Sequence, residues 1–212
     1  MGTNAFFNFD GANVSPIPCD VSDYIFGDIN KVQAAKVCAA HNSKYGEIWW
    51  YYCSALATEN DRYVCWSYRE NHWAIGQLER TTWADVGVFK FPMAVDASGN
   101  IYEHENGWTN AGAALTSTRF AKSRPAELGN GDNIMYVSQT LPDELTSRQI
   151  RLKYFSRFTP EGDETEHGPY TVSPYMDTRL SGRQVAVEVQ GVVDEDWRLG
   201  TLRVDAVPGG KR

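Results

Sequence analysis

The sequence predicts an all-β protein of antiparallel meanders, propeller-like or sandwich in architecture, with one short helix near the N-terminus. Three observations carry this. The stretch from Gly46 to Arg80 holds three runs dense in aromatic and β-branched residues, EIWWYYCS, RYVCWSY and HWAIGQL, which suit a pleated surface. A Trp-containing segment with a central glycine occurs twice, at Trp73–Leu78 and Trp197–Leu202. The second half alternates apolar and polar residues with period two, most clearly at Val185, Val187 and Val189 against Gln184, Glu188 and Gln190.

The three runs are separated by the polar turns Thr58-Glu59-Asn60-Asp61 and Arg69-Glu70-Asn71, so they read as a three-stranded meander. In the middle run Tyr63, Cys65 and Ser67 share one face, and Val64, Trp66 and Tyr68 share the other. Both faces are largely apolar. Both are therefore expected to be covered, by neighbouring sheets or by another subunit. In each Trp segment the apolar side chains change parity at the glycine, which suggests a bulge or bend at Gly76 and at Gly200. The pair is either a structural repeat of blade-like or hairpin type, or the ordinary likeness of one hairpin to another.

Taken in order, AFFNFDGANVSPIPCDVSDYIF (5–26) reads as a hairpin strand, a Gly-containing turn and an extended Pro-flanked connection. Asp28 is placed to cap a helix from Ile29 to Ala40, ended by Asn42 and Gly46. After the meander, Pro92–Val95 and Asn100–His104 flank Asp96-Ala97-Ser98-Gly99, a hairpin turn. The polar, Gly-rich segment Gly107–Gly112 marks a boundary, giving 1–112 as a propeller-like blade region and 113–212 as a C-terminal antiparallel β region. In the latter, strands are expected at Ala114–Ala121, Asn133–Thr140, Gln149–Phe158, Tyr170–Ser173, Arg183–Gln190 and Trp197–Val207. TPEGDETEHGP (159–169) reads as a projecting acidic loop and VPGGKR (207–212) as a flexible tail.

Composition excludes several functions. The 212 residues carry a net charge of −7, and Lys and Arg form no cluster, so specific nucleic-acid binding is not expected. A mildly acidic surface suits a wall past which DNA slides, although solubility alone accounts for it. No apolar run approaches the roughly 20 residues that cross a bilayer. The opening residues lack a basic region followed by an apolar one, so no secretory signal is expected, and Phe6 stands where a myristoylation motif wants Ser or Thr. Cys19, Cys38, Cys53 and Cys65 form no Cys-x-x-Cys pair, so reduced thiols are expected, with Cys53 and Cys65 on adjacent strands.

The chemistry-bearing residues have no diagnostic spacing. His104 stands between Glu103 and Glu105, but in a strand those carboxylates face away from it. Asp143-Glu144 and Asp194-Glu195-Asp196 lie in predicted turns, and His41, His72 and His167 stand in turn-like sequence. No catalytic, cofactor-binding or metal-binding residue is assigned, and no cofactor is expected. The meander tryptophans suit core and interface better than sugar stacking, because alternate faces of the same strands are both occupied.

Phe6-Phe7-Asn8-Phe9-Asp10-Gly11, Cys19–Phe26, Gly46–Tyr52, Glu59–Val64, Trp73–Leu78, Arg80-Thr81, Tyr102–Gly107, Gly131-Asp132, Pro142-Asp143, Gly182-Arg183-Gln184 and Trp197–Gly200, in that order, resemble tailed-bacteriophage virion proteins of the tail hub or nozzle kind. The resemblance spans nearly the whole chain and is to the C-terminal part of those longer proteins. It implies a non-enzymatic structural protein of the virion, made in the host cytoplasm, with a β-propeller-like body assembled as a homo-oligomeric ring. Other tail or connector proteins would be its partners, and DNA would pass through the middle. A complete propeller needs about four or more blades, and the region before Gly112 supplies about two, so either the chain is a fragment or it closes its sheet differently. A carbohydrate-binding or receptor-binding module of a phage tail is the alternative function, with Trp83 and Trp108 as the stacking residues. A depolymerase or sialidase-like propeller enzyme would need two carboxylates facing one pocket, which no spacing offers.

Overall fold

Sixteen strands account for most of the regular structure in the computed structural model, which describes residues 1–115, 119–129, 131–144 and 149–211. Every strand pairing is antiparallel, and the chain divides into two compact units, Met1–Asn106 and Gly107–Arg212. The division falls just before the Gly-rich segment.

The first unit opens with the hairpin β1 (Phe6–Phe9) and β2 (Val14–Ile17). Its turn is made locally, because Asp10 Oδ1 accepts from the backbone N–H groups of Ala12 and Asn13, and Gly11 takes φ +98°. Helix α1 (Ser22–Asp28) and a 3-10 helix (Lys31–Lys36) lead into a four-stranded sheet in the order β3 (Cys38–Asn42), β4 (Glu47–Tyr52), β5 (Arg62–Ser67), β6 (His72–Gln77). The expected meander is β4–β5–β6, and β3 extends it by one strand. A three-stranded meander follows, β7 (Thr82–Ala84), β8 (Met93–Val95) and β9 (Ile101–Glu103), with the β8–β9 turn at Asp96–Gly99 as expected.

Both faces of the large sheet are covered from within the unit. Ile48, Trp50, Val64, Trp66 and Trp73 share one face and meet Phe6, Ile17, Ile25 and Phe26. Phe6 is fully buried, its ring centroid 4.6 Å from that of Trp73, 4.8 Å from Trp50 and 5.4 Å from Phe26. On the other face the Trp49 and Tyr63 rings meet at 4.5 Å, tilted by 33°, and Tyr51 and Cys65 are buried beside them.

In place of the helix expected over Ile29–Ala40 stand only the 3-10 helix Lys31–Lys36 and the start of β3. Helix α1 ends at Asp28, Ile29 is extended with ψ 132°, and the residues around it pair with the sheet: Ile29 bridges Ser54, and Asn30 N–H donates to Cys53 O at 2.9 Å. The apolar positions of that stretch, Ile29, Val32, Val37 and Ala40, fit one helical face only loosely. Val32 is indeed 89% exposed, while Val37 packs on the core and Ala40 becomes part of a strand. A short helix is marginal alone, and strand pairing with a ready sheet edge outweighs it.

The second unit is a two-layer sandwich. One sheet has the order β10 (Phe120–Lys122), β15 (Gln184–Gly191), β12 (Ile150–Arg157), β13 (Thr165–Thr171), and the other β14 (Met176–Gly182), β11 (Asn133–Glu144), β16 (Leu199–Lys211). Their facing side chains, among them Val137, Ile150, Leu152, Tyr154, Met176, Leu180, Val185 and Val189, form one core. Tyr154 OH donates to Thr140 Oγ1 at 2.6 Å, which pairs two fully buried polar groups across the layers.

Several expectations are corrected here. Of the strand expected at Ala114–Ala121, residues 116–118 lie outside the described residues, and the observed strand is Phe120–Lys122. The second half of the acidic loop is strand β13, its charges answered by Lys122–Glu164 at 2.8 Å and Lys153–Glu166 at 2.9 Å. Strand β14 was not anticipated, although Met176, Thr178, Leu180 and Gly182 alternate inward. The expected tail is instead paired, Lys211 standing opposite Asn133. Of the two expected bulges, the one at Gly200 is present: between Leu199 and Leu202, strand β16 has one residue more than β11. At Gly76 the β5–β6 register is unbroken, and the missing side chain leaves room for the Tyr63 ring, which a Cβ there would strike. Trp73 lies within β6 and Trp197 precedes β16 against Gly191, so the two segments are not one repeated device.

The packing of Phe6 makes the hairpin part of the core. Phe6→Ala should cost about 3–5 kcal/mol, read as a lower urea midpoint followed by tryptophan fluorescence, since five of the seven tryptophans lie in this unit. An unchanged midpoint would show the hairpin to be merely resting on the sheet.

Candidate functional site

Polar side chains are drawn out of water where the second face of the large sheet meets the segment Leu78–Glu105. Arg80, in the link from β6 to β7, is 5% exposed. Its Nε donates to His104 Nε2 at 2.8 Å, its Nη1 to the carbonyl of Glu79 at 2.6 Å, and its guanidinium carbon lies 4.0 Å from the Tyr102 ring centroid. Tyr102 OH in turn donates to Asp96 at 3.0 Å. Asp96 also accepts from the backbone N–H groups of Ser98 and Asn100 and from Asn100 Nδ2, each at 2.9 Å. A turn thus fixes a carboxylate, the carboxylate a phenol, the phenol a guanidinium and the guanidinium an imidazole.

The electrostatics follow from this chain. Because Nε2 of His104 accepts from Arg80, the ring is neutral, and burial followed by the Arg80 charge pushes its pKa down to about 4. Asp96 is held at about 2, chiefly by the Asn100 side chain and then by the backbone donors. Burial works against the charge on Arg80.

A second group adjoins the first. Asn42, fully buried on β3, donates through Nδ2 to Glu105 at 3.1 Å, and Glu47 accepts from Trp49 Nε1 at 2.9 Å. Burial and then the neighbouring Glu47 raise the pKa of Glu105, and burial and then Glu47 raise that of the Cys65 thiol. Asn60 closes the seam from the other side, its Nδ2 donating to the carbonyls of Lys36 at 2.9 Å and Arg80 at 3.1 Å while its Oδ1 accepts from Cys53 Sγ at 3.3 Å.

The chemistry of the cluster is positional. The Nε2 lone pair of His104 is taken, both Asp96 oxygens are engaged, and the Cys65 thiol is pushed away from thiolate. The four cysteines are free thiols, and Cys65 stands opposite Trp49 and Ala74 rather than near Cys53. Among the described residues no three His, Cys, Asp or Glu side chains come together as metal ligands.

The residues weighed from sequence are mostly dispersed. His104 lies just beyond β9, and Glu105, with φ +59°, turns inward to Asn42, whereas Glu103 stays exposed and accepts from Asn106 at 2.8 Å. His41 contacts Tyr68 OH at 3.2 Å and Asp85 at 3.4 Å, and His72 contacts Glu70 at 3.4 Å. His167, expected in a turn, lies in β13 with Nε2 2.8 Å from Ser156 Oγ. Asp194 accepts from Leu115 N–H at 3.0 Å and Glu195 from Gln149 at 2.7 Å, while Asp143 is exposed. Trp83 is half-buried, bonded through Nε1 to the His41 carbonyl at 2.9 Å and set edge-on to His104; Trp108 is 48% exposed. A depression of about 340 Å³ in the second unit is lined by Ile134, Phe158, Thr159 and Arg183, and holds none of these residues.

Sequence reasoning missed Arg80, Asn42 and Asn60. Nothing in their local pattern separates a buried polar residue from a solvated one. Compared with known proteins, the chain matches no family model, and no curated protein matches it.

His104 makes stability depend on pH with a definite sign. Its folded pKa lies below the ordinary value of about 6.5, so its contribution is complete above that pH and is lost as pH falls from 6.5 through 4. Between pH 7 and 4.5 the wild type should lose about 1–2 kcal/mol more than His104→Gln, allowing for partial exposure of the ring. Urea titrations at the two pH values measure this, and equal losses would remove His104 from the account.

Proposed function

We propose that this chain is a non-enzymatic structural component of a tailed-phage virion, of the tail hub or nozzle kind, working by assembly into a homo-oligomeric ring together with other tail or connector proteins. The resemblance of its sequence to that class supplies the reading. One structural observation carries it: large apolar side chains stand in water where the chain's own core has no use for them. The β1–β2 hairpin buries Phe6 and leaves Phe7, Phe9 and Val14 exposed, and the β7–β8 connection leaves Val88 and Phe89 exposed. Surface of this kind is what association buries. The polar cluster around Arg80 supports the same reading, because its groups are spent on one another and hold the sheets in place. The net charge of −7 suits a surface past which DNA moves without adhering.

A glycan-binding role would draw on aromatic faces open along a groove. The meander tryptophans instead stack among themselves, Trp66 with Trp73 at 5.9 Å and Trp50 with Trp73 at 6.0 Å, and Trp108 is the exposed one of the seven. Native mass spectrometry of the purified chain at micromolar concentration should show a species of several copies, and a monomer alone would overturn the ring. Glycan-array binding that disappears in Trp108→Ala would favour the receptor-binding alternative instead; no such signal is expected.

A further inference from the structure

We infer that the unit Met1–Asn106 docks head to tail on the same unit of a second copy. The outer face of the β1–β2 hairpin in one copy lies against the outer face of the β7–β8–β9 sheet and its β7–β8 connection in the next. This rests on the assembly proposed above and names the surfaces that would make it.

The hairpin register carries the first half of the argument. Phe6 pairs with Ile17 and turns to the core, so the outward row is Phe7 opposite Pro16 and Phe9 opposite Val14. Phe9 and Val14 are each 65% exposed, and the only charged side chain between Phe6 and Ile17 is Asp10, at the exposed tip. In the three-stranded sheet, Trp83, Ala94 and Tyr102 form the row that faces Arg80 and His104, so Thr82, Val95 and Ile101 face out. Ile101 is 66% exposed, and Val88 and Phe89 in the connection are 100% and 60% exposed. Lys90 beside them has no carboxylate partner among the described residues, which gives Asp10 of the neighbouring copy a cation to meet.

The two surfaces lie on opposite sides of the four-stranded sheet. The hairpin packs on the face of Trp50 and Trp73, whereas the β7–β9 side is joined to the opposite face, where Glu105 accepts from Asn42, the cross-strand partner of Glu47. They cannot meet within one chain. A symmetric dimer through either one would leave the other bare, whereas head-to-tail contact covers both and propagates into a ring when the rotation closes. With roughly 150–200 Å² for a full side chain of this size, Phe7, Phe9 and Val14 offer about 300 Å² and Val88, Phe89 and Ile101 slightly more. A stable interface buries about 800 Å² per partner, of which a little over half is apolar. The patches supply most of that apolar share, leaving the polar rim to the flanking residues.

Two exposed substitutions separate this arrangement from others. Phe9→Asp spoils the hairpin surface and Ile101→Asp the sheet surface, and each variant alone should run as a monomer in native mass spectrometry. Mixed in equal amounts they should form a 1:1 heterodimer and nothing larger, because one intact pair of surfaces remains between them. Phe7→Asp with Val88→Asp repeats the design at other positions, and unchanged urea midpoints confirm that the variants fold. If the single variants assemble like the wild type, or the mixture stays monomeric, the head-to-tail contact is wrong while a ring through other surfaces stands. If the wild type is itself monomeric, both fall; if it assembles only after another tail protein is added and the variants do not change this, the surfaces belong to neither contact and the inference is overturned.

Discussion

The first unit depends on the insertion of the Phe6 ring among Phe26, Trp50 and Trp73. A sheet whose two faces are both aromatic cannot be left wet on either, and the energetic reason is the size of the rings. Each aromatic side chain buries on the order of 150–250 Å², so an uncovered face of this sheet would expose several hundred square ångströms. Phe6 packs with Ile17, Ile25 and Phe26, so the hairpin and α1 cover one face. The hairpin and α1, which precede the sheet in the chain, are arranged around that closure.

The other face is closed by a different physics. There Tyr51, Tyr63 and Cys65 meet Arg80, Glu105 and Asn42, and a guanidinium is taken almost wholly out of water. Desolvation of a charge costs several kcal/mol unless hydrogen bonds and a favourable field replace the water. The replacements are the Tyr102 ring, the neutral imidazole of His104, the Glu79 carbonyl and the field of Asp96. Each partner is itself tied down, and the arrangement ties the three-stranded sheet to the four-stranded one. The same completeness leaves its titratable groups occupied with one another.

The second unit solves a simpler problem. Its strands alternate, its two inner faces interlock, and its charges lie outside in cross-strand pairs such as Lys153–Glu166. Its irregularities include register shifts along β11, β14 and β16 and one between β12 and β13, where one strand carries an extra residue and the sheet keeps its pairing. The two units thus differ in what seals them: aromatic stacking with a buried polar seam in one, an apolar sandwich in the other.

What the sequence by itself determined was whatever repeats over a few residues. The three aromatic runs, the Asp96–Gly99 turn and the Val185–Val189 alternation were legible because strand periodicity and turn chemistry are local. The tertiary structure decided the rest, since each remaining question turned on a partner distant in the chain. Ile29 and Asn30 were drawn to Ser54 and Cys53, Cys38–Ala40 paired with β4, and residues 207–211 became strand because β11 runs beside them. Gly76 and Gly200 looked alike, but one gives space to the Tyr63 ring and the other sits in a bulge opposite Asp143. Arg80, Asn42 and Asn60 carried no mark of burial at all, because a polar side chain can be withdrawn from water only when its partners have been assembled from elsewhere, and that is information no neighbouring residue contains.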